Sequence, residues 1–168
     1  MAKKDKKTPN LRVVPPAPAT DVLWLDCYYE DFDRALSYPV SPSDWDRIHL
    51  VLGGSGKEIL AVETLDGRQV FLSLRHLQSC RLAPGELERG AKLPDALVCH
   101  MLGTGTLEIA DVARDGLAFI KMVMSETADL DERFVLIPEG SGGTTAINMG
   151  EIVFLEFPTA WLAENGDR

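Results

Sequence analysis

The sequence predicts a mainly β protein, a β-rich α+β chain in which two small antiparallel meander or barrel-like units follow an N-terminal amphipathic helix. Three observations predict it. Apolar residues cluster in runs of strand length, glycine-rich stretches such as Asp66-Gly67 and Gly140-Ser141-Gly142-Gly143 separate the runs, and the whole pattern occurs twice. Asp-Gly between apolar runs is a hairpin signal, because both residues tolerate the positive φ that a strand-compatible turn requires.

Residues 1–19 combine Lys3, Lys4, Lys6 and Lys7 with Pro9, Pro15, Pro16 and Pro18, and hold too few apolar groups to offset the entropy of ordering. A flexible basic tail is expected. The lysines resemble the start of a signal peptide, but no apolar segment follows them, so no export is inferred. In residues 20–37, Val22, Leu25, Tyr29, Phe32 and Leu36 recur at helical spacing, with Thr20 as N-cap, Asp21 at the positive end and Pro39 as the stop. That pattern predicts the amphipathic helix, although 22–29 is also rich in strand formers.

A turn at Ser41-Pro42-Ser43-Asp44 leads into one helical turn at Trp45, and strands follow at 48–52, 58–64, 69–74 and 77–82, with a tight reversal at Arg75-His76. They read as an antiparallel meander. Gly85, Gly90 and Pro94 mark 84–96 as a connector. Strands resume at 97–102, 117–124, 134–138, 145–149 and 152–157, while 106–113 fits a strand or a short helix equally well. Thr159 caps a last turn through Trp161 and Leu162, ending near Gly166. The expected organisation is a tail (1–19), a helix with a first β unit (20–83), the connector (84–96) and a second β unit (97–168).

An offset of 75 residues lays one unit on the other without a gap: Ile59-Leu60-Ala61-Val62 falls on Phe134-Val135-Leu136-Ile137, and Gly67 on Gly142. Leu72 and Leu74 then meet Ile147 and Met149, and Leu77 and Leu82 meet Ile152 and Phe157. Only the glycine is identical, so the match is one of hydrophobic pattern, and two antiparallel hairpins share such a period in any case.

At 168 residues, with 45% hydrophobic and 26% charged residues, the chain can bury roughly 70% of its extended surface. Its longest apolar runs, Leu50 to Gly54 and Gly116 to Ile120, fall far short of the ~20 residues of a spanning helix, so no membrane association is expected. Cys27, Cys80 and Cys99 are odd in number and widely spaced, which argues against a disulfide framework and for a reducing cytoplasm. Net charge is −9, and because the tail is basic the rest is more acidic still. Such a body repels phosphate backbones, so nucleic acid is not expected at the folded part.

The familiar chemistries lack their spacings. Gly53-Gly54-Ser55-Gly56-Lys57-Glu58 has Val51 where a phosphate loop needs glycine and Glu58 where it needs Ser or Thr. His76 with Cys80, and Cys99 with His100, lack the two-residue ligand spacing of a zinc knuckle, and on a strand Cys99 and His100 point to opposite faces. No Cys-His pair carries a local nucleophile signature, and pairs such as Asp31 with Asp33 lie in no calcium-loop pattern. No metal, cofactor or catalytic residue is assigned.

The most unusual stretch is 21–46, dense in acids and holding Trp24, Tyr28, Tyr29, Phe32, Tyr38 and Trp45. With Leu25, Tyr29 and Phe32 inward, Trp24, Tyr28, Asp31 and Trp45 become the candidate partner-binding residues. The expected function is a non-catalytic, cytoplasmic assembly or adaptor protein, bacterial or phage, that recognises a protein partner or copies of itself through β edges and this acidic-aromatic surface. Two alternatives stand beside it. One is a nucleic-acid-associated regulator whose tail phosphate contacts are Lys3, Lys4, Lys6 and Lys7; the other is a small hydrolase or metal enzyme using Cys99, His100 or His76.

Overall fold

The computed structural model describes residues 20–54, 56, 58–87, 95–113, 116–117, 120–121 and 134–163. Ten strands form three antiparallel sheets among these residues. The strands are β1 (Leu23–Tyr29), β2 (Leu36–Val40), β3 (Ile59–Glu63), β4 (Arg68–Ser73), β5 (Leu77–Pro84), β6 (Leu97–Met101), β7 (Gly105–Ile109), β8 (Phe134–Pro138), β9 (Thr144–Asn148) and β10 (Ile152–Pro158). Helix α1 spans Trp45–Leu52 and α2 spans Ala160–Ala163. The protein is mainly β, with a short helix near its N-terminal region, and its sheets do not close into a barrel. No helix among the described residues is long and apolar enough to cross a membrane.

A five-stranded sheet, β3-β4-β10-β6-β7, forms the middle layer. Alternation along its strands divides the core in two. Leu60, Val62, Val70, Leu72, Val98 and Phe154 face the three-stranded sheet β2-β1-β5 and α1. Ile59, Phe71, Leu97, Cys99, Leu155 and Phe157 face the β8–β9 hairpin and the helical residues Leu117 and Ile120. A bulge between Ile152 and Phe154 turns Val153 and Phe154 to the first side while Ile152 stays on the second. Strand β10 is buried along Ile152 to Phe157, as a central strand covered on both faces must be.

The helix expected over 20–37 is two strands. In β1, Leu23, Leu25, Cys27 and Tyr29 alternate inward while Trp24, Asp26 and Tyr28 alternate outward, and β2 and β5 complete the ladder on either side. Two neighbouring strands supply β1 with hydrogen bonds and an apolar floor, which outweighs a helical spacing carried by five side chains. Pro39 lies in the edge strand β2, opposite Trp24, where its missing N–H is tolerated. The strand expected at 48–52 is helix α1: Ser41 accepts from the Ser43 N–H, Pro42 opens a 3-10 turn, and Trp45, Ile48 and Val51 then fall on one buried face. Gly116, Leu117, Ile120 and Lys121, expected in or beside a strand, are helical, and the undecided 106–113 holds β7. The last turn at Trp161 and Leu162 is α2. Residues 1–19, most of the connector and Gly166 lie outside the described residues.

The β3–β4 and β8–β9 hairpins share one register at the 75-residue offset: Leu60 pairs with Leu72 as Val135 pairs with Ile147. Their turns share backbone bonds as well. Thr64 N–H donates to Arg68 O (2.8 Å) and Gly67 N–H to Thr64 O (3.0 Å); Glu139 N–H donates to Gly143 O (3.0 Å) and Gly142 N–H to Glu139 O (3.0 Å). Gly67 and Gly142 hold φ of 89° and 90°, the left-handed step that closes a three-residue hairpin loop. After each hairpin the chain departs from the expected meander, since β5 pairs with β1 and β10 pairs with β4 and β6.

Candidate functional site

The residues expected to form one acidic-aromatic surface are dispersed. Trp24 and Tyr28 lie on the outer face of β1, on either side of Asp26. The Trp24 indole N–H donates to the Glu86 carbonyl (3.1 Å), and Gly85 lies so close to the ring that a Cβ there would be 2.1 Å from it. Asp26 accepts from the Ser37 hydroxyl (2.7 Å), and the Tyr28 side chain is exposed. Asp31 sits beyond the strand, where its carboxylate accepts from the Gly103 N–H (3.3 Å). Trp45 is buried in the core against the His49 ring, 4.3 Å away between centroids, and presents no recognition surface. Lys3, Lys4, Lys6 and Lys7 lie outside the described residues.

Asp31 also faces His100, with 3.7 Å between its Oδ2 and the ring Nε2. The imidazole is buried between Phe32 and Phe154, and its Nδ1 shares a 2.8 Å hydrogen bond with the Thr106 hydroxyl. Beside Asp31 opens a cleft of about 230 Å³ lined by Glu30, Arg75, His76 and Leu102. His76 Nε2 bonds Gly150 O (3.0 Å), and Arg75 reaches Glu58 (3.1 Å), so both side chains already hold protein partners. Among the described residues no three His, Cys, Asp or Glu side chains converge as metal ligands would.

Burial disfavours the thiolate form of all three cysteines and shields the partly exposed Cys80 least. Burial pushes Cys27 and Cys99 up to about 12, and Cys80 is raised for the same reason. Cys99 packs among Phe71 and Leu155 while His100 points to the other side of the sheet. A second buried group spans the middle layer. Arg68, over the Tyr38 ring at 5.0 Å, reaches Asp66 at 2.7 Å and Glu156 at 3.3 Å, tying β4 to β10. Burial raises the Glu156 carboxyl despite the arginine beside it. This cluster joins β4, its turn and β10.

Among the described residues, the β8–β9 hairpin leaves an apolar face open. Val135, Ile137 and Ile147 are buried, whereas Phe134 (64% exposed), Leu136 (58%), Thr144 and Ala146 face outward. Strands at the other sheet edges carry features that resist further pairing: Pro39 in β2, Glu63 in β3, Arg81 and Pro84 in β5, Glu108 in β7. Strand β8 ends at Pro138 and is followed by a bridge from Glu139 to Val112. Strand β9, Thr-Thr-Ala-Ile-Asn, has neither charge nor proline, and among the described residues β8 is its single strand partner. Sequence reasoning missed Phe134, Leu136 and Ala146. The signal was present, because Phe134-Val135-Leu136-Ile137 is apolar at every position, and such a strand must be covered on both faces or expose one.

Compared with protein-family models, with curated proteins and with solved structures, the chain matches none.

Proposed function

We propose that this chain is a non-catalytic assembly protein that associates with a second copy of itself through the β8–β9 hairpin. The uncharged, unguarded β9 edge beside an exposed Phe134–Leu136–Ala146 face carries the reading. Charge selects the occupant. Two chains of net charge −9 repel over most of their surfaces, and a hairpin without a charged residue in either strand is where they approach at least cost. Antiparallel pairing of β9 with its copy about a two-fold axis sets Ala146 opposite Ala146, satisfies the edge N–H and C=O groups of both, and continues the apolar face across the junction.

Light scattering after chromatography on the full chain, across micromolar concentrations, tests this. The expected mass is twice the 18.5 kDa of one chain, reduced to one chain by Ala146→Lys and by Leu136→Lys, with circular dichroism unchanged. A wild-type mass of 18.5 kDa throughout, or a dimer that both lysines leave intact, overturns the reading.

A further inference from the structure

Cys27 and Cys80 are direct partners in the β1–β5 ladder. Residues opposite one another in an antiparallel pair hold their Cα atoms about 4.5–5.5 Å apart, inside the span that a disulfide bridges without moving the backbone. Both side chains belong to the same side of the sheet. Cys27 alternates inward with Leu25 and Tyr29, and Cys80 packs against that same core cluster with Leu82. Both are free thiols, Cys27 buried and Cys80 partly exposed. The third thiol, Cys99, is buried on the opposite side of the middle layer.

We propose that Cys27 and Cys80 are a redox-active dithiol whose disulfide, formed with a peroxide as oxidant, staples the central strand β1 to the edge strand β5. Cys80 reacts first, being the one that solvent reaches. Its sulfur attacks one peroxide oxygen, the O–O bond breaks, and the products are a sulfenic acid and one water. The Cys27 sulfur then attacks the Cys80 sulfur, the S–O bond breaks, and the departing hydroxide takes the Cys27 proton as a second water. The dithiol loses two electrons and two protons, and the peroxide is reduced to two waters. Burial keeps both groups in the thiol form at neutral pH, so the reaction is slow there and accelerates as pH rises. The closed loop encloses α1 and the β3–β4 hairpin, so the disulfide restricts the unfolded chain over a long span.

Treatment of the native full chain with hydrogen peroxide, followed by denaturation, thiol titration and non-reducing peptide mass mapping, tests the proposal. One thiol per chain is expected to remain, at Cys99, with a peptide joining Cys27 to Cys80, two hydrogens lost and Tm raised on the order of 10 °C until a reductant restores it. The Cys99→Ala chain is expected to form the same link and retain no thiol. Three remaining thiols, a Cys80–Cys80 link between two chains, or Cys80 oxidised to a sulfinic acid with Cys27 still free would overturn it. The thiol count and the Cys27–Cys80 peptide are read in the same way whether the chain is a monomer or a dimer.

Discussion

The β3–β4 and β8–β9 hairpins are built alike and used differently. They share register, turn hydrogen bonds and a left-handed glycine, yet Ile59 and Phe71 of the first are buried while Phe134 and Ala146, at the corresponding places of the second, face solvent. The difference comes from what covers each face and what lies alongside, since Ile59 and Phe71 pack under the β8–β9 hairpin with Leu117 and Ile120. Strand β4 is held by β10 and β9 by no described strand beyond its own hairpin. A hairpin is thus a local decision made by a glycine and a two-residue period, whereas its burial is decided by a strand arriving from elsewhere in the chain.

The comparison breaks most sharply at Phe71, which has no exposed surface. Phe71→Ala gives the first hairpin the residue that the second has at Ala146, and a loss of about 3–5 kcal/mol in denaturant unfolding is expected. A loss below about 1 kcal/mol would mean that the two faces are covered alike.

Arg68 comes next, because its counterpart is Gly143 and neither strand of the second hairpin carries a charge to hold a strand beside it. Arg68→Leu leaves Glu156 buried without its cation and is expected to cost about 3 kcal/mol at neutral pH. The sign with pH follows from the raised Glu156 carboxyl. Because the folded state holds that proton more tightly than the unfolded chain, the group's stabilising contribution is full below the ordinary glutamate range and is lost as pH rises through its elevated folded value. The Arg68→Leu deficit therefore shrinks on acidification, measured by urea midpoints across that range. A deficit that stays constant with pH instead would assign the loss to packing.

The smallest effect sharpens the likeness. Gly67→Ala and Gly142→Ala each force a side chain into positive φ with open space around the added Cβ, at about 1–2 kcal/mol apiece. Equal costs are expected locally, read by hydrogen exchange at the flanking amides. Unequal ones would show that the turns differ in more than their surroundings.

Much of this was legible in the residues. Glycine at 67 and 142 with alternating neighbours marked both hairpins, because that signal acts within a few residues. Trp161 and Leu162 do fall in a last turn, but the Thr159 hydroxyl expected to cap it is buried without a hydrogen-bond partner among the described residues, and only the Thr159 carbonyl accepts, from the Leu162 N–H. The stretch from Val22 to Leu36 misled because it satisfies two periods at once. Val22, Leu25, Tyr29 and Phe32 fit a helix, and Leu23, Leu25, Cys27 and Tyr29 fit a strand; β2 and β5, the second some fifty residues away, selected the latter. The candidate surface fared likewise. Trp24 and Tyr28 reached the outer face of a strand, Trp45 went into the core with α1, and an apolar face lies open at Phe134, Leu136 and Ala146 instead.

By itself the sequence determined a β-rich chain that turns back at its glycines, with an acidic balance and no motif for common cofactors, since composition and short-range φ preferences are local properties. Tertiary structure alone decided which strands are central, which thiols face one another and which hairpin stays open. Strand pairing is cooperative between distant segments, and the hydrogen bonds and apolar area that a strand gains depend on a neighbour that its own residues do not specify.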